Sequence, residues 1–418
     1  MTYTLQQKII DNIIVFMLIM STGGLLFVHN RNIMSVIFLL LLIAVILFGK
    51  PLKKNFLYSS LLTLIAIFFL GGINYYYAVV EQTTEKYLFY LLSIVLSIGT
   101  LFHFKNNRNK TLIRSLYSVF YIISIHAAVN FLMYFLVQKN LHTISSTYNE
   151  CETFLNLFFY TPDRGLANVF GLEFCRNQGL FWEPGVLQIF LNIFFFIEAF
   201  IFKRNKLLLL FLSFVILTTY STTGLALLLI QCIFYVKQEF KYNKFILPLF
   251  LVILIPIFFV FSINIDEKLQ GSRESSFQKR VFDLTQPVFI ALDNPLTGIG
   301  LDLFQFQKIR QEFYISSTSL KELNSFFGID AKMEVSDKGS SNSIMFLLAS
   351  TGFPTAIFLL LMFFKQQIFV EKKWLIMLLM TISVMSEPLL LRPFFLIFII
   401  SGLFHYFYRV ISFNKPLL

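Results

Sequence analysis

Apolar runs about as long as a membrane-spanning helix recur along most of the chain, and short polar connections separate them. Because a helix needs about 20 predominantly apolar residues to cross a bilayer, this pattern predicts about twelve spans. They lie near residues 9–28, 33–49, 56–75, 87–104, 113–137, 184–202, 206–219, 222–236, 245–263, 343–364, 373–387 and 390–408. The sequence therefore predicts an all-α polytopic membrane protein.

Lysine and arginine predict the orientation of these helices, because positive charge in short connections resists translocation. Alternate connections carry most of the basic residues, as in the cluster from Lys50 to Lys54. The short connections between these hold few, among them Arg31, Lys86 and Arg392. We therefore predict that both termini lie inside the cell and that the number of spans is even.

Two long polar segments, residues 138–182 and 264–342, face outward on this topology. Both contain aromatic and aliphatic residues, so we expect ordered loops with short helices. In the second, apolar residues at helical spacing predict an amphipathic helix over 272–286 that ends before Pro287. Functional residues are expected on this outer side.

Composition and charge agree with this architecture. Hydrophobic residues make up 57% of the chain and charged residues 14%, whereas a soluble domain carries about 25% charged residues. The net charge of +11 raises the alternative of nucleic-acid binding, but the basic residues stand in short clusters beside apolar runs. We therefore predict a single membrane domain over residues 1–418 that contacts membrane lipids and no nucleic acid.

The end of the first outer loop carries the most informative polar residues. Arg176 and Glu183 lie just before an apolar run that Pro184 opens, so Glu183 is placed at a helix start. Glu183 is either a general base or substrate contact, or simply a helix cap. Arg176 and Arg164 are either phosphate-binding residues or solvated, lipid-facing ones.

The second outer loop adds two arginines and a turn-rich segment. Arg273 and Arg280 are seven residues apart, on about one face of the predicted surface helix. Gly298 and Gly300 permit close approach of backbone amides to a ligand, although their spacing is not a nucleotide-binding signature. Asn342 either caps the following helix or binds a sugar hydroxyl.

The cysteines and possible metal ligands give little evidence of a functional site. Cys151 and Cys175 share the first outer loop and are either a disulfide or two thiols. The outer loops contain no Asp-x-Asp pair and no His/Cys cluster with metal spacing, so we predict no metal and no cofactor.

Taken in order, these motifs resemble the O-antigen polymerase and ligase superfamily, that is, the Wzy-type polymerases and their relatives. The resemblance rests on Arg176-x-x-Gly179-x-x-x-Glu183-Pro184, on Arg280 followed by Asn294-Pro295-Leu-x-Gly298-x-Gly300, and on Ser341-Asn342-Ser343 opening a helix that contains Gly352. The turns at Glu387-Pro388 and Arg392-Pro393 are also similar. The chain departs from many relatives at Ser341, where they have histidine.

This resemblance implies a metal-independent glycosyltransferase in the bacterial cytoplasmic (inner) membrane. Its donor would be an oligosaccharide linked to undecaprenyl pyrophosphate, and its partners would include a chain-length regulator and a flippase. We expect a polymerase that extends O-antigen or capsular glycans. The alternatives are a ligase that transfers the glycan to a lipid acceptor and a multi-pass transporter or flippase. Arg176 and Arg280 would neutralise the pyrophosphate, and Glu183 would accept a proton from the acceptor hydroxyl or orient it.

Overall fold

The computed structural model describes residues 5–49, 53–107, 110–146, 150–162, 166–169, 171–240, 255, 257–265, 274–316, 325 and 340–413. The protein is mostly helical. It divides into two compact units. The first comprises Met1–Val36, Lys110–Arg273 and Phe369–Ser383, and the second Ile37–Asn109, Glu274–Ile368 and Val384–Leu418. The prediction of one membrane domain over 1–418 stays a prediction.

Apolar helices form most of the first unit. They are α1 (Leu5–Met20), α2 (Leu25–His29), α6 (Lys110–Val137), α7 (Pro184–Phe196), α8 (Lys206–Thr218) and α9 (Thr222–Phe240), and residues 257–265 are also helical. Local sequence sets several ends: Pro184 stands in the first turn of α7, and the Asn205 side chain accepts hydrogen bonds from Leu207 N and Leu208 N at the start of α8. After α7 the chain continues as a π-helix over Ile197–Phe202.

Short strands occupy the first outer loop. β1 (His142–Ser145), β2 (Glu150–Phe154) and β3 (Phe158–Tyr160) form an antiparallel sheet in that order, with Ile144 opposite Cys151 and Thr153 opposite Phe159. β4 (Ala167–Val169) pairs with β5 (Leu172–Phe174). Short helices were expected here, and one turn of 3-10 helix over Gln138–Asn140 does precede the strands. The strands were not predicted from the sequence, because segments of three to five residues are too short for an alternating pattern to be visible.

The sheet packs against the last turns of α6. At 28 residues, α6 is about 42 Å long, more than the hydrocarbon thickness of about 30 Å. Asn130 joins the two elements: its Oδ1 accepts from Phe159 N at 3.0 Å, and its backbone carbonyl accepts from the Tyr160 hydroxyl, Oη, at 2.9 Å. The long apolar helix thus supplies both a span and a support for the sheet.

The second unit combines long apolar helices with two helices from the second outer loop. Its elements are α4 (Lys54–Tyr77), α5 (Thr84–Asn107), α10 (Glu274–Asp293), α11 (Leu303–Ser316), α12 (Ser343–Phe364) and α14 (Pro393–Phe413). α14 packs against α4, α5 and α12, and α10 packs against α11 and α12. Two further helices, α3 (Arg31–Leu47) and α13 (Lys373–Ser386), extend over both units.

Two predicted helix boundaries were wrong. The apolar run 9–28 is not one helix, because it breaks between Met20 and Leu25 where Gly23 has a φ of 115°. The helix predicted over 272–286 does not end before Pro287 but continues to Asp293. Proline removes the hydrogen bond to the carbonyl four residues earlier; here that carbonyl, of Asp283, accepts from Ser340 Oγ at 3.5 Å instead. Tertiary packing thus overrides both local signals.

Six helices among the described residues are long and apolar enough to cross a membrane. They are Lys54–Tyr77, Thr84–Asn106, Leu112–Asn140, Pro184–Phe202, Ser343–Phe364 and Pro393–Ser412. Arg31–Leu47, Lys206–Thr218 and Lys373–Ser386 are shorter apolar helices, and most of the predicted span 245–263 lies outside the described residues. The mostly helical architecture with membrane-spanning helices is confirmed, whereas the count of about twelve and the orientation stay predictions.

Candidate functional site

In the first unit, a buried polar network holds the segment that precedes α7. Asn177 is the centre of this network: its Nδ2 donates to Ala127 O at 2.8 Å and to Thr218 Oγ1 at 2.9 Å. Its backbone N donates to Thr218 O at 3.0 Å, and its Oδ1 accepts from Asn130 Nδ2 at 3.2 Å. Buried amides are stable only when they are hydrogen-bonded in this way. Asn177 therefore fixes the segment between Arg176 and Glu183 to α6 and α8.

The break after α1 holds the other half of this segment. Leu25 N donates to Leu180 O at 2.8 Å and Trp182 N donates to Gly23 O at 3.1 Å, which forms a bridge between Gly24 and Phe181. The backbone groups that the interrupted helix leaves unpaired are thus satisfied by the motif segment. A Cβ on Gly24 would lie 2.8 Å from Met20 Cα, so glycine permits the turn. The helix interruption and the motif segment therefore form one structural feature.

Glu183 stands at the start of α7, as predicted, with φ and ψ of −158° and 158°. It occupies the cap position, and its carbonyl accepts from Val186 N at 3.2 Å. Its half-buried side chain makes no capping hydrogen bond. The interpretation of Glu183 as a side-chain helix cap is therefore not what the structure shows, and a role as base or substrate contact stays a prediction.

Arg176 is half-buried, and its Nε donates to Thr219 O at 3.3 Å, just after the end of α8. This bond restricts a long side chain before any ligand arrives, so less conformational entropy remains to be lost on binding. Arg176 and Glu183 lie at the two ends of a segment that hydrogen bonds fix to the break after α1, to α6 and to α8.

The Cys151–Cys175 disulfide is not formed in this structure. The two sulfurs have different neighbours: Cys151 Sγ lies 3.9 Å from His29 Nε2, and Cys175 Sγ lies 3.8 Å from Arg176 O. Cys175 also packs in a cluster with Tyr134 and Tyr160. Burial raises the pKa of the Cys175 thiol to about 11, although Arg176 acts in the opposite direction.

A chain of buried amides continues from the start of α7 into its apolar length. Gln188 Nε2 donates to Gly185 O at 2.9 Å, Asn192 Nδ2 donates to Gln188 Oε1 at 3.0 Å, and Gln231 Nε2 of α9 donates to Asn192 Oδ1 at 2.8 Å. Polar side chains bond neighbouring membrane helices in this manner. This chain was not predicted from the sequence, although Gln188 and Asn192 stand at i and i+4 in an otherwise apolar run.

The second unit places Arg280 in the second turn of α10, half-buried. One turn later, Asp283 forms a buried ion pair with Arg310 of α11, whose Nη2 lies 2.8 Å from Asp283 Oδ1. Arg310 Nε also donates to Gln286 Oε1 at 2.6 Å. Burial lowers the pKa of the Arg310 guanidinium, and Asp283 raises it. This pair was not predicted from the sequence, because Asp283 and Arg310 are 27 residues apart and lie on different helices.

The start of α12 joins the same cluster. Asp283 Oδ2 accepts from Ser341 N at 2.8 Å and from Ser341 Oγ at 2.6 Å. Asn342 caps α12, because its Oδ1 accepts from Ile344 N at 3.2 Å and Met345 N at 3.1 Å. Asn342 thus acts as a helix cap in the structure, and its contact with a sugar hydroxyl stays a prediction.

The segment from Asn294 to Gly300 fills a break in α12. At Gly352, φ and ψ are 72° and 168°, and the opened backbone pairs with this segment: Ile299 N donates to Ala349 O at 3.0 Å and Gly300 N donates to Ser350 O at 2.8 Å. A Cβ on Gly298 would lie 2.5 Å from the carbonyl carbon of Ser350. Gly298 and Gly300 therefore permit close backbone packing here, and their contact with a ligand stays a prediction.

Two predicted site residues, Arg164 and Arg273, lie outside the described residues. Arg176 and Glu183 belong to the first unit and Arg280 and Asn342 to the second, so a common surface for all of them stays a prediction. Within the described part of the chain, no group of three or more His, Cys, Asp or Glu residues could hold a metal ion.

Comparison with known families adds to this geometry. Residues 207–360 match the O-Antigen ligase family. The matched region contains Arg280, the Asn294–Gly300 segment and the start of α12, so it includes the later motifs of the resemblance. The match confirms the resemblance to the O-antigen polymerase and ligase superfamily and supports a glycan-processing function of ligase or polymerase type. Neither the curated proteins nor the solved structures that were compared match the chain.

Proposed function

We propose that the protein polymerises oligosaccharide repeat units carried on undecaprenyl pyrophosphate, at the outer face of the bacterial cytoplasmic membrane. The observation that carries this proposal is the O-Antigen ligase family match over residues 207–360, which includes Arg280 and the start of α12. Such proteins act on lipid-linked glycans, and the apolar helices of this chain suit a substrate that stays in the membrane. The products would be O-antigen or capsular polysaccharides.

In the proposed reaction, a hydroxyl oxygen of the acceptor sugar attacks the anomeric carbon of the donor. The bond between that carbon and the pyrophosphate oxygen breaks, and undecaprenyl pyrophosphate leaves with the bonding electron pair. The acceptor proton passes to the Glu183 carboxylate, and Arg176 and Arg280 stabilise the negative charge that develops on the leaving group. No oxidant, reductant or cofactor is required for this balance.

The surroundings of Arg176 and Glu183 support these roles. The hydrogen bond from Arg176 Nε to Thr219 O restricts its guanidinium, and a planar guanidinium matches phosphate oxygens in a forked geometry. The Glu183 side chain makes no capping hydrogen bond. It stands at the N-terminal end of α7, where the positive end of the helix dipole favours a carboxylate. Both residues lie on a segment whose backbone is fixed by its neighbours.

Substitution of the charged residues tests the assignment. In cells, Arg280→Ala and Arg176→Ala should each lower the rate of chain extension by about 100-fold, and Glu183→Gln by about 100-fold or more. The matched controls are Lys308→Ala and Glu173→Gln, which remove exposed charges and should leave polymer length unchanged. Full polymer length in Arg280→Ala or Arg176→Ala cells at normal protein level would refute the assignment.

A second candidate is ligase activity, which the description of the matched family favours directly. In that reaction the same donor would transfer its glycan to an outer lipid rather than to another lipid-linked repeat unit. A deletion strain separates the two: surface lipid that carries a single repeat unit supports a polymerase. Lipid-linked polymer that never reaches its final acceptor supports a ligase. A chain-length regulator and a flippase are the expected partners of the polymerase.

A further inference from the structure

The buried cluster around Asp283 joins three elements of the second unit. Asp283 lies on α10, its ion-pair partner Arg310 lies on α11, and Ser341 lies just before α12. The carboxylate is fully buried and the Arg310 side chain is 5% exposed. Burying such a pair in place of apolar side chains gives little or no net stability, because both charges must be desolvated. Stability alone is therefore a weak explanation for this pair.

The two carboxylate oxygens have different partners. Oδ1 accepts from Arg310 Nη2 at 2.8 Å, whereas Oδ2 accepts both the backbone N–H and the hydroxyl of Ser341. Arg310 is itself fixed by Gln286, one turn further along α10, and its guanidinium lies 5.0 Å from the ring of Phe282. The cluster therefore holds α10 at two points and determines its rotation about its own axis.

This rotation determines where Arg280 points, because Arg280 lies one turn before Asp283 on the same helix. The outer end of a side chain lies about 6 Å from the axis of a helix, so a 20° rotation would move it by about 2 Å. Misplacement of a reacting group by about 1 Å can cost about 100-fold in rate. A small rotation of α10 should therefore lower the rate of the proposed reaction.

We propose that Asp283 is a positioning residue, with Arg310 as its buried counter-charge, that holds Arg280 and Ser341 in a fixed relation for glycan transfer. This inference rests on the proposed function of Arg280. Asp283 acts through the two residues that it orients, and it is too deeply buried to contact the substrate. Ser341 is half-buried. The hydrogen bond from its hydroxyl to Asp283 therefore fixes the position of a partly exposed side chain beside the start of α12.

The test measures steady-state turnover by the purified full-length protein with an undecaprenyl-pyrophosphate-linked oligosaccharide. Ser341→Ala removes one charge-assisted hydrogen bond at a half-exposed position and should lower kcat by about 10-fold with little change in Tm. Thr285→Ala is the matched control, because among the described residues the Thr285 hydroxyl bonds only Val281 O of its own helix. Its kcat should stay within about twofold of the natural protein.

A second variant separates positioning from stability. Asp283→Leu combined with Arg310→Met replaces the ion pair by apolar side chains, so the Tm of this double variant should equal or exceed that of the natural protein. A kcat that stays about 10-fold low in this stable variant supports positioning. A double variant with the kcat of the natural protein, or an unaffected Ser341→Ala variant, would overturn the proposal. Should the double variant fail to fold, Ser341→Ala decides alone.

Arg280→Ala distinguishes this inference from the function on which it rests. If Arg280→Ala retains full activity, the proposed function of the arginine site is wrong. If Arg280→Ala is inactive while Ser341→Ala behaves like the natural protein, the arginine site stands and only the positioning role of Asp283 fails.

Discussion

Gly352 interrupts α12 in a conformation that other residues rarely adopt, and its replacement by alanine gives a sharp test of the packing described above. The φ and ψ of 72° and 168° fall in a region that is essentially restricted to glycine. A Cβ at this position would lie 2.4 Å from Leu296 O and 2.8 Å from Thr297 N. Both are backbone atoms, so the contact cannot be relieved by rotation of a side chain.

The magnitude follows from two effects. Backbone strain at such a site costs about 1–3 kcal/mol. Displacement of the segment that fills the break also weakens three hydrogen bonds, from Ile299 N to Ala349 O, from Gly300 N to Ser350 O, and from Phe353 N to Pro295 O. At about 1 kcal/mol each, these bring the expected loss of unfolding free energy to about 5 kcal/mol.

The assay is thermal unfolding of the full-length protein in detergent, followed by size-exclusion chromatography. The unfolding entropy of about 2.1 cal/mol/K per residue totals about 0.9 kcal/mol/K for 418 residues, so a loss of this size should lower Tm by about 6 °C. Gly71→Ala is the matched control, because Gly71 lies inside α4 and an added Cβ would meet nothing within 4 Å. Alanine favours a helix by about 1 kcal/mol, so the control should keep or slightly raise its Tm. A Tm for Gly352→Ala within about 2 °C of the natural protein would refute the reasoning.

Three other expectations follow from single contacts. Burial raises the pKa of the Cys175 thiol from 9.0 to about 11, so the folded state should lose stability as pH rises from about 9 to 11. A maleimide should modify Cys175 at pH 8.5 only after unfolding. Rapid modification of Cys175 in the native protein would contradict this. Asn342→Ser should keep the helix cap and change the free energy of unfolding by only a few tenths of a kcal/mol. Unchanged turnover would show that Asn342 acts as a cap, whereas a large fall in turnover would favour a sugar contact. Gly224→Ala should lower Tm, because a Cβ there would lie 2.8 Å from Gln188 Cβ; an unchanged melting curve would show that α7 and α9 can separate without cost.

The site residues illustrate how far local sequence could predict this protein. Glu183 was expected at a helix start because Pro184 fits the first turn, and α7 does begin at Pro184. The absence of a capping bond from its side chain depends on backbone geometry that no local pattern specifies. Gly298 and Gly300 were noted for close backbone approach, and the backbone that approaches them is that of α12.

Sequence alone determined the mostly helical, membrane-spanning architecture, because runs of about 20 apolar residues are favourable only in a bilayer or a core. It also determined the segments that carry the motifs, since proline, glycine and charge act locally. Tertiary structure decided the break after Met20, the continuation of α10 past Pro287, and the pairing of Asp283 with Arg310. Each of these depends on a partner distant in the chain: Leu180 and Trp182 for the break, Ser340 for the Asp283 carbonyl, and α11 for the carboxylate. Hydrogen bonds between distant residues are absent from any local pattern.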